Sequence, residues 1–168
     1  MELPLSWRII GAPVAADDTL PPALSELTEP AIFDSDSLTA AFGWADVMVL
    51  LSDFEGVPLS VLEAQRAGVV VIATDVGGVA EIIDSGRNGF LVERDCAVEE
   101  AADILNLVVN SPNLRPAIAA AAADVIDWPR ATAELIQRVT ALVDGEEPRT
   151  RSAAATTGSL SPVMQAGP

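Results

Sequence analysis

Two uninterrupted apolar runs, Val47–Leu51 and Val69–Ala73, constrain the fold of this chain more than any other feature. An apolar run without polar alternation suits a strand of a parallel sheet covered on both faces. Between the runs lies Asp53-Phe54-Glu55-Gly56-Val57-Pro58-Leu59-Ser60-Val61-Leu62-Glu63-Ala64-Gln65-Arg66-Ala67-Gly68. Pro58 suits the first turn of a helix, where a missing N–H costs nothing. Gly68 suits the position past a helix C-terminus, where a left-handed residue is wanted. The stretch therefore reads as strand, loop, helix and strand.

Glu55 falls in the loop just before this helix, and Glu63 lies more than one turn inside it. Between them the first-turn N–H groups of Leu59, Ser60 and Val61 are expected to be free and to point out of the helix end, a disposition that attracts phosphate. Carboxylates accept hydrogen bonds from hydroxyl groups. A ligand with a phosphate centre and hydroxyls at both ends fits this pattern, and a nucleotide-sugar is such a ligand.

The rest of the chain repeats the alternation. Trp7–Gly11, Ala31–Phe33, Asp46–Leu51, Val69–Ala73 and Phe90–Val92 read as strands. Helices are expected near 21–27, from a cap at Asp36 or Ser37 to about Phe42, and over 79–83, 97–109, 113–123 and 129–143. Asp95, Ser111 and Asp127 are the expected caps of the last three. Strands alternating with helices predict an α/β fold, a single Rossmann-like domain with a parallel sheet. Ligands of such sheets bind beyond the C-terminal ends of the strands, where both Glu55 and Asp75–Gly78 fall.

At 168 residues the chain is long enough for one domain with a sizeable core. Residues 1–144 are assigned to it. Residues 145–168, rich in Ser, Thr, Ala, Gly and Pro, are expected to form a disordered tail. The net charge of −16 disfavours nucleic acid and anionic membranes. Without histidine, the chain has no imidazole base. Its single cysteine, Cys96, forms no internal disulfide, and its place beside a helix start suggests a lowered pKa. No metal site or cofactor is expected. No signal peptide and no apolar run of the ~20 residues needed by a transmembrane segment is found, so a cytoplasmic protein is expected.

Glu55-Gly56-x-Pro58-x-x-x-x-Glu63-Ala64, then Gly68, Val76-Gly77-Gly78-Val79-Ala80-Glu81 and Asn88-Gly89-Phe90-Leu91-Val92, resembles the signature of family-4 glycosyltransferases, also called glycosyl transferases group 1. The resemblance runs from about Trp7 to about Val143. It implies the C-terminal, donor-binding half of a GT-B glycosyltransferase that retains configuration at the anomeric carbon. The implied donor is a nucleotide-diphosphate sugar. Glu55 would be the catalytic-site carboxylate that holds the donor sugar, helped by the backbone of Gly56 and Val57. Leu59, Ser60 and Val61 would meet the diphosphate, and Glu63 the ribose. No protein nucleophile is implied, because the leaving diphosphate itself assists attack from the same face.

Against each assignment stands a plainer one. Glu63 is also an ordinary solvated helix residue. Glu55 is also a negative charge favoured near a helix N-terminus. Gly77-Gly78 reads mainly as a strand-to-helix turn, and Trp7, Trp44 and Trp128 as packing residues. The Arg and Lys that grip the phosphates in the family precede the counterpart of Trp7, and Arg8 is not their equivalent. The glycine expected after the second strand is Asp34. The expectation is a fragment without its acceptor domain, inactive alone, with a separate N-terminal acceptor-domain chain as partner. The alternative is a non-catalytic nucleotide-sugar-binding or protein-interaction module.

Overall fold

The computed structural model describes residues 5–11, 22–122 and 128–145. The chain divides into two compact units, residues 1–123 and 124–168. In the first, the elements run β1 (Ile9–Ile10), α1 (Pro22–Ser25), β2 (Thr28–Glu29), α2 (Ser35–Trp44), β3 (Val47–Leu50), α3 (Leu59–Arg66), β4 (Val70–Thr74), β5 (Phe90–Val92), α4 (Ala97–Asn110) and α5 (Leu114–Ala122). Short 3-10 turns occupy Val79–Glu81 and Arg94–Cys96. The second unit contributes α6 (Trp128–Val143). Of the expected tail, only Gly145 lies among the described residues, and Asp127 and the Trp128 side chain lie outside them.

β3, β4 and β5 form a parallel sheet in that order, with Val47 opposite Val70 and Ile72 opposite Phe90. β4 is buried along its whole length, as an unbroken apolar run in a central strand should be. On one face Val70, Ile72, Phe90 and Val92 pack with Ala101 and Val108 of α4 and Ile118 of α5. On the other, Val71 and Ala73 pack with Val61 and Ala64 of α3, and with Val79 and Ile83. This is the layered, parallel α/β architecture that the apolar runs imply.

α3 ends as expected. Gly68 adopts φ +77°, its N–H donates to the Gln65 carbonyl, and the N–H of Val69 donates to that of Ala64. Those two bonds satisfy carbonyls that a helix end otherwise leaves open.

Three local expectations are corrected. The second strand is Thr28–Glu29, paired parallel with β1, and not Ala31–Phe33. Pro30 has no N–H to continue the ladder, and Phe33 is 95% exposed. α2 is capped by Asp34, whose Oδ1 accepts the Ser37 N–H at 2.8 Å, and not by Asp36 or Ser37. α4 starts after Cys96, with no side-chain cap from Asp95, while Ser111 closes α4 and accepts the Leu114 N–H with its carbonyl.

Candidate functional site

Two loops at the C-terminal ends of adjacent strands build the site. One follows β3 and carries Ser52, Glu55 and Gly56; the other follows β4 and carries Asp75–Gly78. Ser52 Oγ donates to Glu55 Oε1 at 2.7 Å. Thr74, buried at the end of β4, donates its hydroxyl to the Ser52 carbonyl at 2.6 Å. The half-buried Glu55 carboxylate is thereby oriented through Ser52 from the sheet itself. Its second oxygen has no partner among the described residues, so it retains acceptor capacity.

The loops are joined by the Gly78 N–H, which donates to the Gly56 carbonyl at 2.8 Å. A Cβ on Gly77, whose φ is +55°, would lie 1.7 Å from the Glu55 carbonyl oxygen. One on Gly78 would lie 2.6 Å from the Gly56 carbonyl oxygen. The paired glycines therefore do more than turn the chain: they let one backbone touch the other beneath Glu55.

α3 begins after Pro58, which is buried and extended and provides no side-chain cap. The N–H groups of Leu59 and Ser60 have no hydrogen-bond partner among the described residues. Val61 differs from expectation. Its N–H donates to the Pro58 carbonyl at 3.2 Å and its side chain is fully buried. The first turn tightens in the 3-10 manner common at helix ends. The open helix end thus offers two amides rather than three. Glu63 is exposed and has no partner among the described residues. Four residues of helical rise place it about 6 Å along the axis from Leu59.

Ser52, Thr74 and Gln65 were not singled out by sequence reasoning. The only local signal at Thr74 is a hydroxyl directly after the apolar run Val69–Ala73. Gln65 is 1% exposed; its Nε2 donates to the Asn88 carbonyl at 3.1 Å, and its Oε1 is buried without a partner among the described residues. Asn88 in turn accepts the Asp84 N–H and donates to the Ile82 carbonyl. α3 is thus tied to the 84–89 loop on the side away from Glu63.

Arg8 is committed elsewhere. It makes two 2.6 Å hydrogen bonds to the Glu29 carboxylate and stands 5.3 Å above the Trp44 ring centroid. That pairing holds the Glu29 carboxyl below its ordinary pKa. These residues line an open groove of about 850 Å³ with Phe33, Asp34 and Ser37, and neither Glu55 nor Glu63 reaches its wall. Cys96 also departs from expectation. Its thiol is pushed up to about 11, first by its hydrogen bond to Glu100, then by burial and by the charges of Glu100, Glu93 and Glu99. The surrounding carboxylates outweigh the helix start.

No helix of the described residues is long and apolar enough to cross a membrane. Among curated relatives, the D-inositol 3-phosphate glycosyltransferase of Arthrobacter sp. (strain FB24) is 38% identical over 108 residues, covering 61% of this chain and 25% of the relative. The chain spans about a quarter of the length of such relatives. Among solved structures, the C-terminal domain of a glycosyl transferase group 1 family protein (LpcC) from Francisella tularensis aligns with a TM-score of 0.52 at 32% identity, over 61% of this chain and 53% of that one. The Anabaena protein HepE, solved with UDP and glucose, aligns with a TM-score of 0.61 at 22% identity, over 70% of this chain and 33% of that one, which speaks for the fold alone. The profile described as "Glycosyl transferases group 1" matches residues 32–125, more than half of the sequence and all of the two-loop site. The chain belongs to the glycosyl transferases group 1 family.

Proposed function

We propose that this chain is the nucleotide-sugar-binding half of a retaining glycosyltransferase. The observation that carries the reading is the oriented Glu55 carboxylate beside the open N-terminal end of α3, with Glu63 exposed further along the same helix. In this reading Glu55 accepts from hydroxyls of the donor sugar, with the backbone of Gly56 and Val57 beside it. The amides of Leu59 and Ser60 meet the diphosphate, the Val61 end of the turn closes beneath them, and Glu63 accepts from the ribose. Charge developing on the leaving diphosphate is stabilised by those amides and the helix dipole. UDP-glucose is the probe of choice, because HepE has also been solved with it. An acceptor-binding half, on a separate chain, would cover the exposed apolar side chains of Phe54, Val57 and Leu59 next to the loop. The chain by itself then binds donor weakly and transfers nothing, and a cytoplasmic location would suit its substrate.

Ligand-observed NMR with UDP and UDP-glucose tests the assignment. Glu63→Ala should weaken both ligands. Glu55→Ala should weaken UDP-glucose and leave UDP unchanged. Each lost hydroxyl–carboxylate hydrogen bond is worth about 1.5–3 kcal/mol, or roughly ten- to hundredfold in affinity. Equal losses of both ligands in both variants would defeat the division of labour.

A further inference from the structure

The two ends of the candidate site carry opposite electrostatics. At one end, α3 presents the open amides of Leu59 and Ser60 and the positive end of its dipole. At the other stand Asp53, Glu55 and Asp75, all beyond the C-terminal ends of β3 and β4. Asp53 precedes Glu55 by two residues on the same loop. Asp75 directly follows Thr74, whose hydroxyl reaches the Ser52 carbonyl, and its own N–H donates to the Val92 carbonyl at 2.9 Å. Two residues later, Gly77 brings that loop back against the Glu55 carbonyl. Asp53 and Asp75 thus bracket Glu55 along the two loops. Both are exposed, and neither side chain has a hydrogen-bond or ion-pair partner among the described residues. Between Val47 and Glu81 the one basic residue is Arg66, in the last turn of α3. Arg8, Arg87, Arg94 and Arg115 are engaged by Glu29, Asp84, Asp95 and Asp46, outside both loops.

We infer that Asp53 and Asp75 determine the class of donor sugar: they admit a neutral sugar and reject one that carries a carboxylate, a uronic acid. The inference deepens the proposed function and rests on its placing of the donor sugar at Glu55. The Glu55 carboxylate needs a hydroxyl donor there, which a neutral sugar supplies. A sugar carboxylate would instead add a negative charge beside three others with no cation on either loop, and such like-charge juxtaposition disfavours binding. The negative charge that the site accommodates is the diphosphate, at the α3 amides. Because Asp53 and Asp75 are exposed, their repulsion acts through solvent and is screened by salt. Rejection by shape alone would lack that dependence.

Ligand-observed NMR on the full chain compares UDP-glucose with UDP-glucuronate, which differs from it only in the oxidation of C6 to a carboxylate. At about 10 mM salt, UDP-glucuronate should bind at least about tenfold more weakly. At about 1 M salt, where the screening length has fallen from roughly 30 to 3 Å, the ratio should shrink to within about threefold. The double variant Asp53→Asn, Asp75→Asn should narrow the low-salt ratio at least about threefold and leave the high-salt ratio unchanged. Should that variant fail to fold, the salt series of the parent chain decides. Equal affinities for the two donors at low salt overturn the inference and leave the donor-binding reading intact. A preference for UDP-glucose that persists undiminished at high salt, or in the double variant at low salt, also overturns it, since the rejection is then not electrostatic. Absence of binding by UDP and both donors at every salt concentration defeats the donor-binding reading itself, and this inference with it.

Discussion

Gly78 donates its backbone N–H to the Gly56 carbonyl at 2.8 Å, joining the loop after β4 to the loop that carries Glu55. The bond requires a bare backbone on the donor side. A methyl group on Gly78 would fall 2.6 Å from the very oxygen that accepts the bond. The position of Glu55 is therefore set partly by residues more than twenty positions away in sequence.

Gly77→Ala and Gly78→Ala should consequently act differently. At Gly77 a side chain meets both a left-handed φ of +55° and a carbonyl oxygen at 1.7 Å. A loss of at least about 2 kcal/mol in denaturant melts is expected. At Gly78 the backbone, at φ −90°, accepts any residue, so the Gly56 loop must give way instead. Gly78→Ala should keep a cooperative melt but weaken UDP-glucose more than UDP. Unaltered selectivity between the two ligands would separate this contact from the orientation of Glu55.

The relay from Thr74 through Ser52 to Glu55 makes a second distinction. Thr74→Val keeps the shape but leaves the Ser52 carbonyl without its 2.6 Å donor. Losing the bond to this half-buried carbonyl costs about 1 kcal/mol, which urea unfolding would register. Ser52→Ala removes only the bond to the Glu55 carboxylate. Its stability should change by less than about 1 kcal/mol. Its affinity for UDP-glucose should fall while that for UDP holds, a split that a purely structural serine would not produce.

Cys96 provides a pH test. Its thiol is raised to about 11 from an ordinary value near 9, with the Glu100 hydrogen bond as first cause. The reactive species is the thiolate. At pH 8 the thiolate population is thus about a hundredfold below that of an unperturbed cysteine. Iodoacetamide labelling of the folded chain should be slow at pH 8 and climb until about pH 11. Glu100→Gln should move the midpoint down, because it removes both the charge-assisted bond and a nearby negative charge. Labelling at the rate of a free thiol at pH 8 would contradict the assigned environment.

The unit from β3 to β4 was legible because its signals are local. Two unbroken apolar runs, Pro58 at the start of α3 and Gly68 past its end require nothing from the rest of the chain. Phe90–Val92 was legible for the same reason. The misplacement of β2 came from weighing the apolar Ala31–Phe33 above Pro30, whose missing N–H stops the ladder after Glu29. The Cys96 error came from considering the helix start without Glu100, one turn further along α4. The Thr74–Ser52 and Gly78–Gly56 contacts link neighbouring strand ends. No periodicity within either segment encodes them, because they exist only once β3 and β4 pair in register.

Gln65 shows how such a tertiary requirement can be tested on stability alone. It is almost completely buried, makes one hydrogen bond to the Asn88 carbonyl, and leaves Oε1 with no partner among the described residues. Gln65→Met keeps the length of the side chain and removes the donor and the orphaned acceptor together. Losing the bond and relieving the desolvated acceptor oppose each other, so a change within about 1 kcal/mol is expected. Gln65→Glu places a carboxylate where Nε2 now donates, facing the Asn88 carbonyl in an apolar layer. At neutral pH it should cost at least about 3 kcal/mol. Burial raises the pKa of the introduced carboxyl above its unfolded value, so the folded state favours the protonated form. The penalty is then full above the raised pKa and shrinks as pH falls through it. Urea melts of both variants at neutral and acidic pH would read this directly. A Gln65→Glu chain as stable as the parent at neutral pH would mean that the 84–89 loop moves aside and that the Gln65–Asn88 bond does not hold it to α3.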